Sequence, residues 1–490
     1  MAKVDIVETS LRDGNQCLWG ALGVDTAKTL TIAPAMERAG YRAIDFTTST
    51  HMGVAVRYKQ EDPWERIRGM AEICKNTPLQ FLSTGFRFIA WETATPEFME
   101  LAFRTLATNG IRRFALADPM NDAKANTEVA KLVKRNGGDQ VVGALVYSIS
   151  PIHDDAHYAE AARTMAASPD IDALYIKDPG GLLTPKRAQT LIPAILAEIG
   201  DKPLELHNHC TIGQAEPACL EAAELGIAAV QCASGGAADG TSNPPIMRMI
   251  ANLRAQGHTV DIDDEAAQEV ADFWTAMAEA EDLPTGRPMA FDAAYYQHNL
   301  PGGMVGTMRR HLKDQGVPEL ESAVIEEMGR VRQELGWPIV MTPFAQMLQT
   351  QAMMNVTNEA NGKERWSIIP DEIIRFAIGK FGRPNAPVDE NVMDRIMANP
   401  RTKELEAETG MADLKTLRKK IGENLSDEEF LLRATMPADL VNAMQDAGPA
   451  PREYDPDTVA VMNLLREVLS RRDVDSFGLE KEDFKLEVSA

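Results

Sequence analysis

The sequence predicts an α/β fold: a (β/α)8 TIM barrel followed by a mainly helical C-terminal domain. Three observations lead there: eight short β-branched or apolar runs recur over roughly the first half of the chain, helix-patterned segments separate them, and the strand pattern fades after about residue 290. The runs are Val4-Asp5-Ile6-Val7, Arg42 to Phe46, Leu79 to Leu82, Arg113 to Leu116, Val141 to Tyr147, Ala173 to Ile176, Leu204 to His207 and Ala228 to Cys232. Between them lie helix formers at helical spacing, as in Pro217 to Gly226, which closes on a glycine suited to a helix end. Eightfold alternation favours a closed barrel; an open doubly wound sheet is the alternative, because periodicity alone does not show closure.

Beyond residue 290, Ala323 to Leu335, Pro343 to Met354 and Pro370 to Ile378 are helix-compatible, and the charged stretch from Asn399 to Asp427 reads as a solvated helix pair or a linker. A chain of 490 residues exceeds one ordinary core. The expected units are residues 1–290, the barrel, and residues 291–490, the helical domain.

Hydrophobic residues make up 44% and charged residues 25%, a soluble globular balance, and no run is long and apolar enough to cross a bilayer. The first residues pass straight into a strand pattern without a signal-peptide core, so a cytoplasmic location is expected. A formal net charge of −23 argues against a nucleic-acid partner. An anionic substrate must then meet a local positive centre, either a metal or a particular arginine. The five cysteines (Cys17, Cys74, Cys210, Cys219, Cys232) form no CxxC pair and read as reduced thiols.

Barrel enzymes place their chemistry at the C-terminal ends of the strands. Here three strand ends carry ionisable groups: Ser10-Leu11-Arg12-Asp13 after the first, Lys177-Asp178 at the sixth and His207-Asn208-His209 at the seventh. His207 and His209, two apart on a strand, point to the same face and can reach one ion, with Asp13 as a third ligand. Lys177 leaves two readings open. In one, its ammonium pairs with Asp13 and there is no metal; in the other, its amine has become a carbamate, an anionic oxygen ligand.

These residues carry a resemblance. Glu8-Thr9-Ser10-Leu11-Arg12-Asp13-Gly14-Asn15-Gln16 resembles the motif D-T-T-L-R-D-A-x-Q, Ile176 to Pro185 resembles I-K-D-M-A-G-L-L-x-P, and Leu206 to His209 resembles an H-x-H strand. Together they resemble the carboxyltransferase domain of pyruvate carboxylase, the oxaloacetate decarboxylase alpha subunit and the transcarboxylase metal subunit. Glu61 to Arg66, Leu300 to Met304, Thr342 to Phe344 with Gln351 and Asn355, Glu364 to Trp366 and Val388-Asp389 extend it from about Val4 to Asp389.

The resemblance implies a carboxyl transfer between carboxybiotin and a small enolisable acceptor. It implies a divalent metal (Zn, Mn or Co) held by Asp13, carbamylated Lys177, His207 and His209. Gln16 falls at the substrate-side glutamine, and Thr241 at the threonine that shuttles a proton between acceptor and biotin. No A-M-K-M biotinylation sequence and no ATP-binding carboxylase region is evident. The implied partners are therefore a biotin carboxyl carrier protein and a biotin carboxylase subunit, with the chain itself a homodimer.

Departures concern the acceptor. Where the family has R-G-Q-N, with its arginine on the substrate carboxylate, this chain has Thr84-Gly85-Phe86-Arg87, so either Arg87 substitutes from three positions along or it is a solvent-facing loop charge. The family's W-G-G-A-T-F becomes Thr47 to Met52, and Cys210 replaces an acidic residue. These changes point away from pyruvate or oxaloacetate. Two other readings are a carbon-carbon lyase or aldolase of the related metal-barrel group and a noncatalytic scaffold subunit.

Overall fold

In the computed structural model eight parallel strands close into a barrel, with β8 pairing back onto β1. The structure describes residues 2–90, 92–314, 316–470, 476–481 and 484–489. The strands are β1 (Asp5–Glu8), β2 (Ala43–Thr48), β3 (Leu79–Ser83), β4 (Arg113–Leu116), β5 (Gln140–Val146), β6 (Ala173–Asp178), β7 (Leu204–Asn208) and β8 (Ala229–Cys232). All eight predicted runs are strands, with ends that differ by at most two residues. Closure, the point periodicity left open, is settled in favour of the barrel. Between strands, amphipathic helices such as Pro96–Thr108 and Pro185–Ile199 bury their apolar faces on the sheet; Thr95 and Thr184 cap them, and a proline fills the first turn of each.

The barrel interior holds two clusters of different chemistry. One is apolar: Leu82, Ala115, Val142, Ala144, Val146 and Tyr175, from β3 to β6, pack with Ile339 and Met341, which reach in from the helical region. The other is a chain of buried polar groups drawn from β2, β3, β4, β7 and β8 and from Arg12 after β1. Arg12 Nε donates to Asp45 at 2.7 Å, Gln80 donates to the other Asp45 oxygen at 3.0 Å, and Arg113 Nε donates to Gln80 at 2.8 Å. Arg113 Nη2 reaches both Glu205 oxygens at 2.6 Å, and Gln231 donates to Glu205 at 3.3 Å. Alternation along a strand turns Asp45, Gln80, Arg113, Glu205 and Gln231 inward, and Arg12 reaches in from the turn after β1. In a low-dielectric interior each charge needs its partner.

The region after the barrel is largely helical, with Glu321–Glu334 packed on Phe344–Ala360. Arg332, 2% exposed, ties it to the barrel: its guanidinium donates to Pro338 O at 3.0 Å, Ile149 O at 2.7 Å and Ser148 Oγ at 2.6 Å. The charged stretch resolves as a helix pair, Pro400–Glu406 and Leu414–Ile421. The mainly helical expectation holds for this region, which adds one antiparallel pair of strands near its end, β9 (Ser476–Lys481) and β10 (Phe484–Ser489).

Glu205→Ala leaves the Arg113 guanidinium buried without its anion. Urea denaturation is expected to show a loss of roughly 3–5 kcal/mol, and a loss under about 0.5 kcal/mol would mean the buried chain does not hold the barrel.

Candidate active site

The exit of β1 is shaped by its own residues. Both Glu8 oxygens accept the Ser10 N–H (3.0 and 3.1 Å), and the Thr9 carbonyl receives the N–H groups of Asp13 and Gly14 (2.8 and 3.1 Å). The chain therefore leaves the strand in a π-helical turn, Ser10–Gly14. A Cβ on Gly14 would stand 2.7 Å from Ala237 O, so only glycine lets this turn close against the loop after β8. The turn carries Asp13 over the barrel mouth. On the facing strands the register makes Lys177 and His207 Cα partners, and His207 the partner of Gln231. Asp178 points the other way, as alternation requires, and its Oδ2 accepts the Leu183 N–H at 2.6 Å.

Four predicted residues meet. Asp13 Oδ2 lies 3.0 Å from His209 Nε2 and 3.3 Å from His207 Nε2, the two Nε2 atoms are 3.0 Å apart, and Lys177 Nζ is 3.2 Å from His207 Nε2. Each of the four is at most 5% exposed. Their outer nitrogens are already committed. His207 Nδ1 faces Gln231 Oε1 at 2.8 Å, and His209 Nδ1 faces the Thr241 carbonyl at 2.7 Å. Both partners are acceptors, so both Nδ1 atoms carry hydrogen and both Nε2 atoms turn toward Asp13.

Atoms about 2.1 Å from one ion lie about 3.0–3.4 Å apart, which is the spacing found here. Two imidazole nitrogens and a carboxylate, each oriented from behind, fit a divalent cation by donor type as well. The alternative pairing of Lys177 with Asp13 is not what forms. Asp13 Oδ1 is taken by Arg12, and Lys177 rests on His207.

The electrostatics are those of a crowded buried cluster. Burial works against ionised Asp13, yet Arg12, His209 and His207 hold it well below the usual carboxylate range. Burial and the Lys177 charge press His207 down to about 3, whereas Asp13 and Cys17 outweigh burial at His209 and lift it to about 10. Burial, then Arg12, push Lys177 below the ordinary lysine value.

Beside this cluster opens a cavity of about 170 Å3. Asp13, Lys177 and His209 line it together with the predicted substrate residues Gln16, Thr84 and Arg87; His207 and Thr241 are not among its lining residues. Thr241 stands behind, its hydroxyl donating to Cys17 O at 3.1 Å. Arg87 is 6% exposed, which corrects its reading as a solvent-facing loop charge.

Several residues at the site were not anticipated. Cys17, read as an ordinary thiol, lines the cavity with Sγ 3.8 Å from His209 Nδ1 and 3.9 Å from Asp13 Oδ2. Its position one helical turn after Asp13 was the available signal. Pro301, Met341 and Thr342 cover the cavity from the helical region, which no strand-end rule would find.

Two family models match the chain: HMGL-like over residues 3–273 and the conserved carboxylase domain over residues 295–477. A pyruvate carboxylase subunit of Methanocaldococcus jannaschii is 33% identical over 395 residues, covering 80% of this chain and 68% of that protein. The 2-oxoglutarate carboxylase large subunit of Hydrogenobacter thermophilus is 28% identical over 446 residues, 89% of this chain and 67% of that protein. Among solved structures, the carboxyl transferase domain of Rhizobium etli pyruvate carboxylase matches with a TM-score of 0.82 at 22% identity, over 94% of this chain and 80% of that one. Against a structure of Rhizobium etli pyruvate carboxylase with its allosteric activator, the chain spans about half the length, 46%. On the strength of the family model that covers the barrel and of identity along four-fifths of its length, the chain belongs to the carboxyltransferase family of the biotin-dependent carboxylases.

Proposed function

We propose that this chain is a carboxyltransferase subunit that moves a carboxyl group between carboxybiotin on a separate carrier protein and a small enolisable acceptor. The observation that carries the reading is the convergence of Asp13, Lys177, His207 and His209 at 3.0 to 3.3 Å in a buried cluster that opens on a cavity. Asp13, His207, His209 and a carbamate on Lys177 would hold a divalent ion, Zn, Mn or Co. When bound, that ion supplies Lewis-acid stabilisation of the negative charge that develops on the acceptor oxygen.

The carbamate follows from simple chemistry. The neutral Lys177 amine adds to carbon dioxide and loses a proton, so a cationic side chain becomes an anionic one; the burial that lowers its pKa raises the neutral fraction. Arg12, tied to Asp45, holds Asp13 in place from behind. Gln16 lines the cavity on the Asp13 side and donates to the acceptor oxygen. Thr241, hydrogen-bonded to a residue of the cavity wall, relays the proton between the acceptor carbon and the biotin ring. In this reading residues 1–290 carry the chemistry, and residues 291–490 supply the cover through Pro301, Met341 and Thr342.

A biotin carboxyl carrier protein is the required partner, with a biotin carboxylase subunit to recharge it. A homodimer in the cytoplasm completes the proposal.

Metal analysis of the purified chain is expected to find about one divalent ion per chain, and intact mass after gentle handling to show the carboxylated lysine. Lys177→Ala is expected to lose the metal and at least about 100-fold in carboxyl transfer; full metal content with normal turnover would overturn the reading, and turnover without any biotinylated protein would favour a lyase.

Gln231→Leu tests the outer shell. It removes the acceptor that orients His207, and chelator competition is expected to show metal affinity reduced roughly 10- to 100-fold; an unchanged affinity would show that His207 needs no such orientation.

A further inference from the structure

The cavity contains a charge that the protein does not neutralise. Among the cations lining it, Arg12 is committed to Asp13 and Asp45, and Lys177 rests on His207. Arg87 stands apart from these. It is 6% exposed, its Nε has no hydrogen-bond partner, and among the described residues no ion pair reaches its guanidinium.

Its surroundings explain how such a group is tolerated without satisfying it. Asp118 is near enough to favour the charged form, but its Oδ2 accepts the N–H groups of Met120 and Asp122, both at 3.0 Å, and burial lifts its carboxyl to about 6. The Phe381 ring lies 5.3 Å from the guanidinium carbon, a cation–π contact that leaves the N–H donors unspent. A buried guanidinium without an anion is costly, and it is retained where an anion arrives from outside.

A second orphan shares the wall. Ser49 Oγ, also lining the cavity, is buried with no partner. The two stretches that depart from the family motifs converge here, since Thr48, Ser49 and Thr50 from one and Thr84 and Arg87 from the other all line the cavity. On a barrel mouth, loops far apart in sequence become neighbours. The metal-side residues and this wall thus sit at one cavity, one suited to a carbonyl oxygen and the other to a carboxylate.

We infer that Arg87, with Ser49 lining the same cavity, forms the acceptor's carboxylate subsite, displaced from the position now held by Thr84, so that the acceptor is a free carboxylic acid with an enolisable carbonyl rather than an acyl thioester. This rests on the carboxyl-transfer reading above. Arg87 is a substrate-binding residue, and the cavity's choice of acceptor is made at the end of β3 and in the loop after it.

The test uses the full chain with its metal content measured, and pyruvate, 2-oxobutyrate, methyl pyruvate and propionyl-CoA as calorimetric probes. At least one of the two acids is expected to bind the parent. Arg87→Met is expected to weaken that acid roughly 10- to 100-fold, to leave methyl pyruvate unchanged and to retain the metal; Arg87→Lys recovers part of the loss. Because the free protein then sheds an unpaired buried charge, the melting temperature of Arg87→Met is expected to stay the same or rise. Equal acid binding in Arg87→Met, binding of propionyl-CoA in preference to the acids, or binding of neither acid by metal-loaded parent would each overturn the inference. So would a melting temperature several degrees lower with acid binding intact, which makes Arg87 a structural partner of Asp118. A parent without metal that still shows the Arg87-dependent acid binding would remove the carboxyl-transfer reading and leave the subsite standing.

Discussion

One run of buried hydrogen bonds sets the terms for the rest of the molecule. It passes from Arg12 through Asp45, Gln80, Arg113, Glu205 and Gln231 to His207. Arg113 and Glu205 are at most 1% exposed, so neither charge is compensated by water, and each fixes the other. The two ends of the run are what function uses. At one end Arg12 braces Asp13; at the other Gln231 takes the His207 Nδ1 hydrogen and aims Nε2 inward. The core of the barrel and the orientation of the candidate ligands are therefore one network, satisfied as a whole.

The apolar cluster of the barrel does complementary work. Ile339 and Met341 pack on residues of β3 to β6, and Arg332 ties the helical region to the loop after β5. The cavity lies between the polar cluster and the residues that follow β2 and β3, with Met341 in its wall. The helical region is thus part of the site's wall as well as a neighbour of the barrel. Arg87 is buried in this wall, and an unpaired guanidinium matters most where the surroundings screen it least.

Strand alternation and residue chemistry made much of this visible in one dimension. Eight apolar runs with helical spacers specified the strands and favoured a barrel, and Asp13, Lys177 and the His207/His209 pair could be placed at strand ends from the chain alone, because period two fixes which side chains share a face. Less was visible elsewhere. Asp45, Gln80, Arg113, Glu205 and Gln231 all fall within the predicted strands, yet each reads there as an isolated polar residue. Their pairing depends on which strands neighbour which and in what register. Arg87 looked equally like a surface charge, and Cys17 like any thiol, because burial is a property of what packs over a loop.

What the sequence by itself determined was the inventory and its facing: a set of eight strands, the chemistry at three of their ends, and the altered stretches at Thr47 to Met52 and Thr84 to Arg87. The tertiary structure alone decided who meets whom. Pairing of β6, β7 and β8 makes Lys177, His207 and Gln231 register partners, closure of β8 onto β1 brings the Ser10–Gly14 turn to them, and a segment more than 300 residues downstream, at Met341 and Thr342, covers the space beside Asp13. The physical reason is range. Backbone periodicity acts over a few residues, whereas desolvation and charge pairing are fixed by neighbours that only the folded chain brings together.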